Sequence, residues 1–296
     1  MRPARCFAFQ GNQFWTQANT LAQQQRIGLL TPPNGWNTNG YQYAQITYTH
    51  ILPGNWLSVS VGQYSIGVYD GNVYAGSAQA NFVNYALSWN GTQTYANAGT
   101  GAYLQLTPTD ALQVAVGLQG ATDVTGATLT TGGLNGGHIA YFVSAQWMPK
   151  ILAGGAYSIL YYAQPSVPQQ PSASQGVSFS ASQNITARYG VFLRADNASG
   201  SANPIETSVA FGGIVNNPFG RSSLTQVGLG FAWNWTNLAY AGGPFRRTEQ
   251  LGELYCNVAV SKALQVTPDV QVYFKPALSP DTAMVAVFTL RTTINF

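Results

Sequence analysis

Residues 283–296 (AMVAVFTLRTTINF) alternate with a period of two up to the carboxyl terminus. Stepping back from Phe296 gives Ile294, Thr292, Leu290, Phe288, Ala286 and Met284, a largely apolar register. The other register reads Asn295, Thr293, Arg291, Thr289, Val287 and Val285. A β-strand sends alternate side chains to opposite faces, so this stretch has one apolar face and one face that turns polar near the end. In a soluble sandwich the apolar face would look into a core. In an outer-membrane barrel it would look into lipid, with the polar face lining a lumen.

Charge separates these two solutions. Only 7% of the 296 residues are charged, twelve Lys and Arg with nine Asp and Glu, against about 25% in typical soluble proteins. A soluble surface of this size needs more. The sequence has no run of about 18 apolar residues, which excludes transmembrane helices. Half-apolar, half-polar strands rich in Gly and aromatics produce this composition in a membrane barrel. A net charge of +3, dispersed along the chain, is no footprint for nucleic acid. The two cysteines, Cys6 and Cys256, are expected to stay unpaired, and no CxxC or CxxCH points to zinc, an iron–sulfur cluster or haem. The first ten residues, MRPARCFAFQ, lack the apolar region of a secretory signal, so the start is expected to be truncated or processed.

The alternation recurs along the chain. Residues 6–14 and 23–30 read as strands, and Thr31, Pro32, Pro33, Asn34 and Gly35 as a loop, because two prolines and an Asn-Gly cannot sit in a ladder. Ala44, Ile46 and Tyr48 share a face. Pro53, Gly54 and Asn55 turn the chain into Leu57, Val59 and Val61, making a hairpin. Residues 66–101 then interrupt the pattern. Such a length is usually functional, and in a porin it would be a candidate to fold inward; an external cap or additional strands are the other readings. A tight turn at residues 107–110 precedes Leu112, Val114, Val116 and Leu118. Ile139, Tyr141, Val143, Ala145 and Trp147 follow a Gly-rich loop at 126–137, and further strands cover 177–185, 188–196, 206–213, 224–234, 250–261 and 264–275. Fourteen strands are counted and sixteen expected, within a range of 14–18, in a single domain over residues 1–296. Short turns alternate with long loops, as expected of two unlike rims. Trp147, Tyr157, Phe231 and Trp233 lie on apolar faces near strand ends, as aromatic girdles would. The opposite faces carry Ser, Thr, Gly, Ala and Gln, a poor filling for a dry core. The fold class is therefore an all-β transmembrane antiparallel barrel.

The polar register carries Arg188, Arg194, Glu206, Glu253, Asp269, Lys275 and Arg291. Mixed signs across a waist orient polar solutes rather than select one ion. Arg supplies donors to vicinal hydroxyls, and Glu accepts from them. A charge so placed more often pairs with a neighbouring strand, holding the barrel in register, than contacts a solute, and Asp269, in a turn-proximal Pro-Asp element, is read as structural. Tyr255 and Tyr273, with Tyr64, Phe142, Tyr162 and Phe192, are inward aromatics that offer stacking faces to a solute. Within the long interruption Asp70, Asn81, Phe82 and Asn84 are the constriction candidates. Nothing resembles GxSxG, HExxH, a P-loop or a dinucleotide fingerprint, and Glu206 and Glu253 lie too far apart in sequence to read as a hydrolase pair. No enzyme, cofactor or metal is expected.

Three stretches resemble the carbohydrate-selective porins of OprB type. They are Asn217-Pro218-Phe219-Gly220-Arg221 followed by Gln226-Val227-Gly228-Leu229-Gly230; Glu253-Leu254-Tyr255; and Leu264-Gln265-Val266-Thr267-Pro268-Asp269-Val270-Gln271-Val272-Tyr273 with Pro276 and Leu290-Arg291. The likeness covers residues 40–296 and is specific from about Pro218 onward. It implies a sixteen-stranded outer-membrane pore for passive diffusion of monosaccharides, with outer-membrane lipid around it. The chain is shorter and less charged than expected of that family, which questions a charged constriction. A general or weakly anion-selective porin and a structural barrel without an open pore are the alternatives. The low charge of the outward faces is compatible with a homotrimer.

Overall fold

The computed structural model describes residues 4–14, 20–34, 40–71, 74, 81–122, 129–168, 170–220, 222–240 and 245–294. Fourteen strands form one antiparallel sheet in strict chain order. They are β1 (Ala4–Phe14), β2 (Gly40–Ile51), β3 (Leu57–Tyr64), β4 (Gly99–Thr109), β5 (Leu112–Gly120), β6 (Ile139–Trp147) and β7 (Gly155–Gln164). The second half comprises β8 (Ser174–Asn184), β9 (Tyr189–Ser199), β10 (Ile205–Asn216), β11 (Gln226–Thr236), β12 (Thr248–Ala259), β13 (Leu264–Phe274) and β14 (Met284–Ile294). Among the described residues the count is fourteen rather than the sixteen expected, and no ladder joins β1 to β14. No described helix is long and apolar enough to cross a membrane.

The period of two runs through the strands, with register shifts in β1, β4 and β10. In β9, Tyr189, Val191 and Leu193 are exposed, whereas Phe192, Arg194, Asp196 and Ala198 are buried. The same division puts Trp147, Phe231 and Trp233 on the exposed face and Phe142, Tyr162, Tyr255 and Tyr273 on the covered one. A water-exposed sheet would not leave this many large apolar side chains open on one face. Cys256 is half-buried, Cys6 is exposed, and both thiols are free.

Short connections gather at one rim. At the β2–β3 turn Gly54 and Asn55 take positive φ, and Leu52 N–H donates to the Leu57 carbonyl at 2.9 Å. The β4–β5 turn sits at Asp110 and Ala111, with β4 running through the residues read as a turn; the Thr109 hydroxyl accepts from Leu112 N–H at 3.1 Å. Long connections occupy the other rim, and two of them carry the site.

Two further expectations are corrected. Residues 23–30 are no strand: α1 (Thr20–Ile27) is helical. Its Leu, Ala and Gln side chains lose little rotamer freedom in a helix, and Gly28 at φ +78° ends it in the left-handed region. Asp269 is not near a turn but buried in the middle of β13, opposite Tyr255 and Thr289. The adjoining Pro268 has no N–H to give, and the β12–β13 ladder lapses between the Tyr255–Asp269 and Val258–Val266 pairs. Arg221 and Phe296 lie outside the described residues.

Candidate functional site

The segment between β3 and β4 lies against the covered face of the sheet. It starts with a 3₁₀ turn, Ile66–Tyr69, and among its described residues holds one short helix, α2 (Tyr85–Ser88). Phe82, Val83, Asn84, Ala86, Leu87 and Ser88 are all buried. The segment therefore folds inward over the wall rather than capping the rim.

Two polar anchors hold it. At the first, Asp70 meets Arg194 on β9 at 2.5 Å, and Arg194 also reaches Asp196 at 3.1 Å. These side chains are almost wholly removed from water, so their remaining polar atoms need partners. Asn90 Nδ2 and the Tyr95 hydroxyl donate to Asp70 Oδ2 at 2.8 and 2.9 Å, and Gly91 N–H donates to Asp196 Oδ2 at 3.3 Å. The Ser178 oxygen lies 2.6 Å from Asp70 and 2.7 Å from Asp196; its single hydrogen serves one carboxylate at a time. Burial, reinforced by Asp70, pushes the Tyr95 phenol well above its ordinary value, so it remains a donor.

The second anchor is Glu253 on β12. Its carboxylate accepts Val83 N–H at 2.5 Å and Asn84 N–H at 3.0 Å. Asn84 itself caps α2, accepting from Ala86 N–H at 2.9 Å. Its amide lies within 3.0 Å of Gln271 Oε1 and 2.5 Å of the Tyr273 hydroxyl. Phe82 is clamped between Phe192 and Tyr255, with centroids at 5.3 and 4.8 Å. Beside it, Asn81 donates to Gln226 at 2.8 Å.

The glycines of the Gly228-Leu229-Gly230 stretch make this packing possible. A Cβ on Gly230 would sit 2.7 Å from the Phe82 ring, and one on Gly228 2.2 Å from the Tyr255 ring. Both contacts are too close for a side chain to fit without movement.

The β1–β2 connection joins the same arrangement. Glu249 accepts Leu30 N–H at 3.0 Å and Ala277 N–H at 3.0 Å. Gln271 donates to the Pro33 carbonyl at 2.8 Å. The two inward segments meet where Tyr85 N–H donates to the Pro32 carbonyl at 3.4 Å.

The expected site residues thus divide. Arg194, Glu253, Tyr255 and Tyr273 come together with Asp70, Asn81, Phe82 and Asn84 on the covered face. Arg291, half-buried on the same face, donates to the Thr267 hydroxyl at 3.3 Å. Arg188 stands apart on the exposed β8–β9 turn, donating to the Pro218 carbonyl at 3.0 Å. Lys275 is exposed at positive φ just past β13. Glu206 pairs with Arg247 at the far rim, both partly exposed. Such a pair contributes little: Glu206→Gln is expected to change stability by less than about 1 kcal/mol, measured by urea unfolding in vesicles.

Asp196 and Glu249 were not among the expected residues. Each shares parity with one that was, Arg194 two places earlier and Glu253 four places later, so continuing the alternation would have found them.

A sheet with an apolar outer face and inward segments pinned over a polar inner one is the wall of an outer-membrane porin. The chain belongs to the family described as the carbohydrate-selective porin, OprB family, which matches residues 5–296. It is 32% identical over 292 residues to a protein named porin AaxA from Chlamydia pneumoniae, covering 98% of this chain and 66% of that one. It thus spans slightly less than two thirds of that relative. Among solved structures, Pseudomonas putida OprB at high pH superposes with a TM-score of 0.76 at 18% identity, over 92% of this chain and 78% of that one. The low-pH structure gives 0.55 at 20% identity, over 86% and 68%. The family and the fold are those of bacterial outer-membrane transport channels rather than of enzymes.

Proposed function

We propose that the sheet closes into a barrel and gives small neutral sugars a passive, water-filled path across the outer membrane. The exposed apolar face meets lipid, the covered face lines the path, and the β3–β4 and β1–β2 segments narrow it. The observation that carries this reading is the double anchoring of the β3–β4 segment, by Asp70 on Arg194 and by Val83 and Asn84 on Glu253. A segment held by buried charges at two places acts as a fixed constriction. Closure would join the β1 and β14 edges directly or, in a sixteen-stranded barrel, through two further strands. A homotrimer belongs to the same proposal and is read by chemical cross-linking in vesicles.

Arg194, Glu253, Arg291, Tyr255 and Tyr273 are the proposed path and positioning residues, whereas Arg188, Glu206 and Lys275 sit at the rims. Sign bears on the alternative of an anion-leaning pore. Among the described residues, the covered charges are Asp70, Asp196, Glu249, Glu253 and Asp269 against Arg194 and the half-buried Arg291. Acid predominates, although the whole chain is net positive. Reversal-potential recordings in a salt gradient are expected to show cations favoured over anions; a clear anion preference would contradict this placement of charge.

Proteoliposome swelling tests the proposal as a whole. Monosaccharides are expected to enter faster than a size-matched amino acid. Equal entry of all small solutes would leave a general porin, and no swelling from folded protein would indicate a plugged structural barrel.

A further inference from the structure

We infer that the β3–β4 segment turns one file of side chains toward the path, and that Tyr85, Trp89 and Gln93 in it bind a passing pyranose ring. The inference rests on the sugar-path reading above and names the side chains that touch the solute. Within residues 81–99 burial follows a period of four. Asn81, Tyr85, Trp89 and Gln93 are half-buried and Asn97 is exposed, while every other residue of the stretch is buried.

Local structure accounts for the spacing. In α2 the residues Ala86, Leu87 and Ser88 are buried, and Leu87 stands with Phe82 over Gly230 of the wall. That leaves Tyr85 as the one residue of the turn open to solvent. Trp89 N–H donates to the Tyr85 carbonyl at 2.9 Å, so Trp89 begins the next turn, about 5.4 Å further along. Trp89 itself is extended, at φ −138° and ψ 173°, between the buried Ser88 and Asn90. Extended backbone sends alternate side chains to opposite sides. Ser88 donates to the Asn84 carbonyl at 2.7 Å and Asn90 to Asp70 at 2.8 Å, so the indole points away from the wall that holds those two.

Gln93 is fixed at the other end of the file. Its amide donates to the Tyr95 carbonyl at 3.3 Å and to Asn97 Oδ1 at 3.4 Å. Its backbone carbonyl accepts from the Asn203 side chain at 2.9 Å. The Gln93 oxygen and the Asn97 NH₂ take no part in the bond between the two amides and are left for a solute.

The charges lie beneath this file. Asp70, Arg194, Asp196 and Glu253 are buried and hold the segment, whereas its open side is neutral. Residues 71–109 contain no Asp, Glu, Lys, Arg or His. A dissolved ion therefore meets no fixed charge on the file to replace its hydration. Tyr and Trp rings offer an apolar face with a polar tip, which suits the C–H face of a pyranose. Carboxamides donate and accept, as sugar hydroxyls do.

The test uses the full chain and glucose, in planar bilayers and in proteoliposomes. Tyr85→Leu combined with Trp89→Leu keeps apolar bulk and removes both rings. It is expected to weaken glucose block of the single-channel current about tenfold. Tyr85→Phe combined with Trp89→Phe keeps two rings and should stay within about threefold of the parent chain. Folding is checked by heat-modifiable mobility on gels. Unchanged affinity in the folded leucine variant would overturn the file and leave the sugar path intact. Glucose that enters proteoliposomes without blocking the unaltered channel would do the same. Glucose that neither enters nor blocks would overturn both.

Single cysteines in a Cys6→Ala, Cys256→Ala background read the period directly. A small charged methanethiosulfonate is expected to modify Gln93→Cys and Asn97→Cys about tenfold faster than the buried Ser88→Cys and Thr92→Cys. Glucose should slow the Gln93→Cys reaction several-fold. Equal rates at the four positions, or a Gln93→Cys rate indifferent to glucose, would overturn the file.

Discussion

Replacing Arg194 with Leu is expected to cost about 3–5 kcal/mol of stability and to loosen the start of the β3–β4 segment. Arg194 is the cation between Asp70 and Asp196, and the side chains of all three are at most 3% exposed. Removing it leaves two carboxylates facing each other out of water, and neither Ser178 nor Asn90 brings a charge to replace the guanidinium. The loss is therefore mainly the burial of unpaired charge rather than the value of the salt bridge itself. Urea unfolding in lipid vesicles should show the shift, and single-channel recordings should show larger, noisier currents as the segment detaches. The triple variant Arg194→Leu, Asp70→Asn, Asp196→Asn should recover most of the stability, because neutral carboxamides can share the hydrogens already present. If the single variant unfolds within 1 kcal/mol of the parent chain, the cluster is not what holds the segment.

This sequence declares its wall and conceals what covers it, for a physical reason. A strand's period is local, so counting in steps of two separates Phe142, Tyr162, Phe192, Tyr255 and Tyr273 from Trp147, Phe231 and Trp233, and burial follows the same division. The phase is lost where the ladder ends. Parity carried past the last paired residue puts Arg188 and Lys275 on the inner face, where the structure has a turn and a positive-φ position. The anchors are non-local: Asp70 reaches Arg194 across 124 residues and Val83 reaches Glu253 across 170. No periodicity records such a pairing. What the sequence does hold is a trace of it in short stretches. Glu253 and Tyr255 point to the same face because one residue separates them, as do Asp269, Gln271 and Tyr273. Gly228 and Gly230 leave room between them for Tyr255 and Phe82. The motifs that carry the family resemblance are, in this chain, largely the residues that receive the inward segments.

Glu253→Gln should widen the path more selectively than the Arg194 change. The carboxylate has two acceptor oxygens for two backbone donors, Val83 N–H and Asn84 N–H. A carboxamide keeps one oxygen and turns an NH₂ toward the other donor, so one hydrogen bond is lost and two donors are brought face to face. A buried donor left without its partner costs about 1–3 kcal/mol, which sets the expected loss for one anchor point. Because Asn84 caps α2 and also reaches Gln271 and Tyr273, the whole Phe82–Ser88 stretch should shift while the strands stay paired. The size limit for sugars should then rise: disaccharides and trisaccharides that enter slowly in the parent chain should swell proteoliposomes carrying the variant. The outcome separates two roles for this segment. A raised limit makes the Glu253 contact the element that sets the aperture. An unchanged limit, with the stability loss present, would mean that the β1–β2 connection held by Glu249 sets the aperture instead, and Glu249→Gln would then be the change that opens it.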